Sequence, residues 1–186
     1  MQITVINFSG RADGNCHNIS KMIRASYPDL SMQVFGFCDL EITPCGKCRY
    51  ECFTKRELCP YFDEQEYAVC EAVTQSDAAI FIVPNYCDYP CANFFLFNER
   101  SQCYFQGRED LLERYLQVKK LFIVVSNTGK ENFISAFRYH VAEDTEPDIL
   151  FMSSKKYGKS SIAGDLMEAE DARKSLKEYL KDRIGE

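Results

Sequence analysis

The chain has 186 residues, 46% of them hydrophobic, and a formal charge of −6. That is enough apolar material for one domain spanning 1–186, and the acidic balance argues against a nucleic-acid platform, which carries a basic surface. No apolar segment approaches the roughly 18 residues of a membrane helix, and no leader pattern is visible, so a cytoplasmic protein is expected.

Apolar runs alternate with helical patterns along the chain. The first run, Ile3–Phe8, reads as a buried strand. It breaks into Ser9-Gly10-Arg11-Ala12-Asp13-Gly14-Asn15-Cys16, and a helix carrying Ile19, Met22 and Ile23 follows. Met32–Phe37 reads as a second, less uniformly apolar strand suited to an edge. Glu64–Thr74 reads as a helix, Ala78–Val83 as a strand, and Cys91–Gln102 and Glu109–Gln117 as helices. Leu121–Ser126 is the fourth strand, Glu131–His140 a shorter helix and Ile149–Ser153 the fifth strand. A last helix begins near Asp165, where Asp165 and Glu168 match a capping box, and turns Ala172, Leu176, Leu180 and Ile184 inward.

The first, third and fourth strands are almost continuously apolar, as parallel strands covered on both faces are. The order βαβαβαβαβα predicts an α/β doubly wound sheet of five parallel strands with helices on both faces. Ligands of such sheets lie at the carboxyl ends of the strands. The loops after Phe8, Val83 and Ser126 should therefore meet. The first is a junction of strand, small-residue loop and helix start, where backbone N–H groups and the helix dipole favour an anion. It matches neither the Walker pattern nor GxGxxG.

These residues carry a resemblance. The chain resembles the flavodoxin-like NAD(P)H-dependent FMN reductases, including their iron–sulfur flavoprotein branch. The family's first loop reads G-S-x-R-x-x-G-N-[ST]; here Ser9, Arg11, Gly14 and Asn15 align, and Cys16 stands where a hydroxyl residue is usual. The family's second loop reads P-x-Y with a following helix that ends near D-R; here Pro84-Asn85-Tyr86 is followed by Cys87, and Glu99-Arg100 stands for D-R. The third loop is Asn127-Thr128-Gly129. The resemblance implies FMN phosphate on Ser9–Cys16 and the ring between Pro84–Cys87 and Asn127–Gly129. It also implies NADH or NADPH as electron donor, a small-molecule or protein acceptor, and no indispensable catalytic side chain. Arg11 is the expected charge partner of a phosphate.

The chain holds ten cysteines. In a cytosolic protein they point to metal, redox chemistry or buried thiols. Cys45, Cys48, Cys52 and Cys59 form C-x2-C-x3-C-x6-C in a Cys-rich insertion at about 43–61, between Pro44 and Pro60. Four thiolates this close suit a [4Fe–4S] cluster or zinc. Iron–sulfur flavoproteins have a similar motif at the same place, with two residues in the second gap where this chain has three. Three readings stand side by side: a cluster exchanging electrons with flavin, structural zinc or a reduced thiol loop, and a redox-active dithiol. Cys38 and Cys70 read as buried small hydrophobes, and Cys87 as a partly exposed one.

The remaining candidates have bland readings. His17, in the first helical turn, reads as a capping or surface residue. The acidic run Glu143–Asp148 lacks the spacing and glycine of a calcium loop, and Lys155, Lys156 and Lys159 read as a solvated loop. Phe94, Phe95, Phe97, Tyr104 and Phe105 suit either core or a homo-oligomer interface. Three functions follow: an FMN-dependent reductase, an iron–sulfur flavoprotein electron carrier, or a zinc-stabilised, non-enzymatic binding protein on the same fold.

Overall fold

The structure is a computed structural model describing residues 1–46, 48–126 and 134–185. Its strands are β1 (Gln2–Asn7), β2 (Ser31–Gly36), β3 (Ala78–Tyr86), β4 (Tyr89–Pro90), β5 (Lys119–Ser126) and β6 (Asp148–Ser153). Its helices are α1 (Asn15–Ser26), α2 (Glu66–Gln75), α3 (Ala92–Phe105), α4 (Glu109–Gln117), the single turn α5 (Ile134–Phe137) and α6 (Glu170–Ile184). Five strands pair in parallel in the order β2-β1-β3-β5-β6. Numbered within the parallel sheet, this is the 2-1-3-4-5 doubly wound order, whose switch point lies between β1 and β3. The polar second strand is at an edge, and none of its residues is buried.

Side-chain alternation gives the sheet two unlike faces. Along β3, Ala79, Phe81 and Val83 enter one core while Ala78, Ile80 and Ile82 enter the other. The first core is aromatic, with Phe8, Phe81, Phe94, Phe97, Phe122 and Phe137 all fully buried. Their rings meet mostly edge-on or tilted at 4.7–6.1 Å, for example Phe8 on Phe94 and Phe122 on Phe137. The second core is aliphatic and is closed by Ile19 and Ile23 of α1 and by Ala172, Leu176, Leu180 and Ile184 of α6. Of the aromatic run in α3, Phe94, Phe97, Tyr104 and Phe105 are core, and Phe95 is exposed. His140 is sealed in the aromatic core, hydrogen-bonded to Tyr115 Oη at 2.7 Å, and burial pushes its pKa down to about 3.

Several boundaries differ from the sequence reading, each for a local reason. Pro84, Asn85 and Tyr86 continue β3 rather than forming a loop, because β4 folds back and pairs Asn85 with Pro90 and Tyr86 with Tyr89. Helix α2 starts two residues late, since Glu64 and Gln65 instead accept hydrogen bonds from Thr43 N and Glu41 N. Asp165 caps no helix. Its carboxylate accepts from Ser160 N, a 3-10 turn spans Leu166–Glu168, and α6 begins at Glu170. Cys38 is half-buried rather than core, donating to the Asp39 carboxylate at 3.2 Å.

Candidate functional site

Two cavities hold the chemistry-bearing residues. The first, about 400 Å³, opens at the carboxyl ends of β1, β3 and β5, at the switch point. Its volume is within the roughly 300–1,000 Å³ of small-molecule sites. Ser9, Arg11, Gly14, Asn15, Cys16, Pro84, Asn85, Tyr86 and Cys87 all line it, together with Val125, Ser126, Ser161 and Ile162. Asn127, Thr128 and Gly129 lie outside the described residues.

The first loop is shaped by its own side chains. Ser9 N donates to Asn7 Oδ1 at 3.0 Å, and Arg11 N to Ser9 Oγ at 3.1 Å, two successive side-chain turns. Helix α1 then starts with Gly14 as an N-cap that makes no side-chain cap, and its first turn holds no acidic residue. The positive end of a 12-residue helix dipole, about half a charge, therefore faces the cavity unopposed. Cys16 is buried, and burial pushes its thiol up, so it presents a neutral, weak donor. Arg11 is half-exposed and its Nη2 donates to Ile162 O at 3.0 Å.

Asn15 lines the cavity, yet its amide faces the other way. Oδ1 accepts from Leu166 N at 2.9 Å, and Nδ2 donates to Ser154 Oγ at 3.2 Å and to Ser160 O at 3.1 Å. Asn18 Nδ2 adds a bond to Gly164 O at 2.8 Å. Together they pin the segment after β6 against the first loop as a side wall. Gly164 has φ +74°, and a Cβ there would sit 2.8 Å from Asp13 O, so only glycine fits. This fourth wall, with Ser161 and Ile162, was absent from the sequence reading. Its signal was the small-residue run Ser160–Gly164 after the last strand, a carboxyl-end loop like the other three. His17 lies elsewhere, in a groove with Lys21, Arg24 and Asp39.

The opposite wall is the end of β3. Asn85 is buried, and among the described residues neither its amide oxygen nor its nitrogen has a hydrogen-bond partner. Orphaned amide atoms cost about 1–3 kcal/mol each, so they are retained where a ligand satisfies them. One donor beside one acceptor suits an imide or amide edge, such as the pyrimidine end of a flavin. The β3–β4 turn then forces Cys87 (φ 51°) and Asp88 (φ 67°) into left-handed geometry, leaving the Tyr86 and Tyr89 rings exposed at the rim. The other end of the hairpin is anchored: Cys91 Sγ and Asn93 Nδ2, at the start of α3, both donate to Phe8 O. A helix N-terminus at one wall and an open amide at the other suit a ligand with an anionic end and an imide or amide edge.

The second cavity, about 470 Å³, lies under the Cys-rich loop and is lined by Cys45, Cys48, Tyr50, Cys52, Phe53, Glu99, Gln102 and Cys103. Fully buried Arg100 does not line it but lies among the sulfurs beside it. Its Nη1 approaches the sulfurs of Cys45 (3.6 Å), Cys59 (3.8 Å) and Cys103 (3.8 Å), and its Nη2 donates to Tyr61 O at 3.1 Å. Glu64 and Glu66 carboxylates lie 3.6 Å from the same guanidinium. Burial opposes the Arg100 charge, but these sulfurs and Glu66 overcome it and raise its pKa. Burial pushes the Glu66 carboxyl up to about 8, against the pull of Arg100.

Arg100, expected in the helix that follows the flavin loop, thus serves the thiols instead. Cys103 also joins them, donating to Cys52 Sγ at 3.5 Å. Both were missed as members of this cluster. Their i, i+3 spacing on one helix was the available signal. Among the described residues no group of three or more His, Cys, Asp or Glu is arranged to hold a metal ion. A guanidinium nitrogen already stands among three of the sulfurs.

No protein-family model and no curated protein matches the chain. Solved structures do. The Trp repressor binding protein from Bacillus subtilis is similar over 96% of this chain and 100% of its own, with TM-score 0.63 and 17% identity. The flavoenzyme NAD(P)H:(acceptor) oxidoreductase FerB from Paracoccus denitrificans is similar over 97% and 95%, with TM-score 0.55 and 13% identity. General stress protein 14 from Treponema denticola, solved in complex with FMN, is similar over 97% and 96%, with TM-score 0.54 and 12% identity. Identities this low speak for architecture, and with its 2-1-3-4-5 parallel order the chain has the flavodoxin-like fold.

Proposed function

We propose that the chain is an FMN-dependent oxidoreductase that passes electrons from NADH or NADPH through bound FMN to an acceptor such as a quinone, a free flavin or a protein. One observation carries the reading. Two loops some seventy residues apart line one cavity at the switch point, and that cavity contains a buried amide with both polar atoms open. Two similar structures add support, one bearing FMN and one named for NAD(P)H.

FMN held by Ser9–Cys16 and Asn85–Cys87 would supply the redox chemistry, hydride acceptance and electron release. The residues bind and orient. The α1 N-terminus and the loop amides of Ser9–Gly14 favour the phosphate, with Arg11 free to swing from Ile162 O toward it. Asn85 fixes the polar edge of the ring, and Tyr86 and Cys87 border its face. No side chain is required to move a proton.

The test is an absorption spectrum of protein purified without oxygen, before and after added FMN, then oxidation of NADH and of NADPH. Flavin bands with nicotinamide turnover are expected. A protein that stays colourless after incubation with FMN overturns the reading. Flavin bands without turnover would favour the electron carrier. In neither case does the arrangement around Arg100 support iron–sulfur or zinc at Cys45, Cys48, Cys52 and Cys59, and no step here runs through a metal.

A further inference from the structure

The Cys-rich loop and α3 meet at a sulfur pair that the sequence motif does not contain. Cys52 sits on the 3-10 turn Glu51–Phe53, and Cys103 on the last turn of α3. Their sulfurs are 3.5 Å apart, with Cys103 as donor and Cys52 as acceptor. A disulfide bond is about 2.05 Å long, so closure needs an approach of ~1.5 Å. Both residues line the 470 Å³ cavity, which gives a small oxidant a route to sulfurs that are otherwise shielded from solvent. Arg100 Nη1 stands 3.8 Å from Cys103 Sγ and brings a fixed positive charge to the pair. Cys52 lies in a loop whose entry residue, Tyr50, has φ 58°, and Cys103 is fixed on helix α3.

We propose that Cys52 and Cys103 form a reversible dithiol–disulfide couple that reacts with hydroperoxides. The roles follow from the hydrogen bond. Cys52, the acceptor, is the attacking sulfur, and Cys103 resolves. Cys52 loses its proton and attacks one peroxide oxygen. A sulfur–oxygen bond forms, the oxygen–oxygen bond breaks, and the departing hydroxide takes up the released proton as water. Cys103 then attacks the sulfenic sulfur. The sulfur–sulfur bond forms, the sulfur–oxygen bond breaks, and the hydroxyl leaves with the Cys103 proton as a second water. Two thiols lose two electrons and two protons, and one hydrogen peroxide becomes two waters. An external dithiol restores the reduced pair. The distance along α3 from the flavin cavity, about 15–20 Å at 1.5 Å per residue, separates this chemistry from the flavin reading, on which it does not rest.

The experiment treats the reduced, full-length protein with one equivalent of hydrogen peroxide, alkylates the remaining thiols and maps the peptides. The expected product is a Cys52–Cys103 cross-link, with two of the ten thiols lost and recovered by dithiothreitol. In Cys103→Ser, a sulfenic acid on Cys52 should persist and label with dimedone. In Cys52→Ser, neither label nor cross-link should form. Oxidation confined to exposed Cys87, or a link between Cys45 and Cys48, overturns the proposal. So does Cys103→Ser that loses two thiols as fast as wild type. Should either variant fail to fold by circular dichroism, the wild-type peptide map decides alone. Apo and FMN-treated protein should give the same map, so failure here and failure to bind flavin are separate results.

Discussion

The two cavities are built by opposite means. The carboxyl-end pocket is made of backbone, small residues and one helix terminus, and its polar atoms either hold the loops in place or point inward unmet. The cysteine chamber is made of long side chains packed around one buried cation, whose guanidinium meets three sulfurs, a carbonyl and two carboxylates, while Arg100 Nε, Glu66 Oε2 and Tyr67 Oη make no hydrogen bond among the described residues. The pocket rests on backbone that a ligand can approach. The chamber rests on contacts between its own side chains. The contrast predicts that mutations in the chamber strike folding first, and mutations in the pocket strike binding first.

The strongest effect is expected from Arg100→Met. It leaves Tyr61 O and the Glu64 and Glu66 carboxyls without their shared donor, at about 1–3 kcal/mol for each group orphaned. Urea unfolding would register it, and an unchanged midpoint would mean that the guanidinium is not the keystone of the chamber. Next comes pH. The Glu66 carboxyl is held up near 8 in the folded chain, against an ordinary value of 4.5. The folded state then keeps a proton that the unfolded state releases, so stability falls as pH rises from about 4.5 to 8, by ~5 kcal/mol at most. Glu66→Gln should flatten that slope in denaturation series across the window.

On the pocket side, Asn85→Leu should weaken FMN binding roughly tenfold to a hundredfold, as expected for ~1–3 kcal/mol of lost pairing. The apo protein should unfold at the same urea concentration or higher, because two orphaned atoms are gone. Equal losses of affinity and stability would erase the distinction between the two cavities. The smallest effect is expected from Cys87→Gly. It relieves a left-handed position and should add ~0.5–1 kcal/mol of stability, read as a higher midpoint in urea unfolding.

Legibility in the sequence divided along the same line. The five parallel strands, the edge position of Met32–Phe37 and the nine pocket residues of the first two loops were readable, because apolar runs and small-residue punctuation are local signals. The side wall at Ser160–Gly164 was not, since it is fixed by Asn15 and Asn18 from across about 150 positions. Pro84–Tyr86 was read as a loop because a proline at a strand end looks like a break, and only pairing with Tyr89–Pro90 makes it strand. In the chamber the cysteine spacing was plain, but its centre was not. Arg100 reads as the helix-end residue of a flavin motif, and Cys103 lies outside the four-cysteine spacing. Both become cluster members only once α3 packs beside the loop.

The clamp of Asn15 has a consequence for how the protein is made. The loop that opens the pocket leaves the ribosome about 150 positions ahead of the residues that hold it, Ser154, Ser160 and Leu166. Synthesis proceeds from the amino end at about 5–20 residues per second, so the wall follows the loop by roughly 7–30 seconds. The pocket is finished only once the segment after β6 has emerged, and a chain cut short after β5 would hold most of its sheet but no finished pocket.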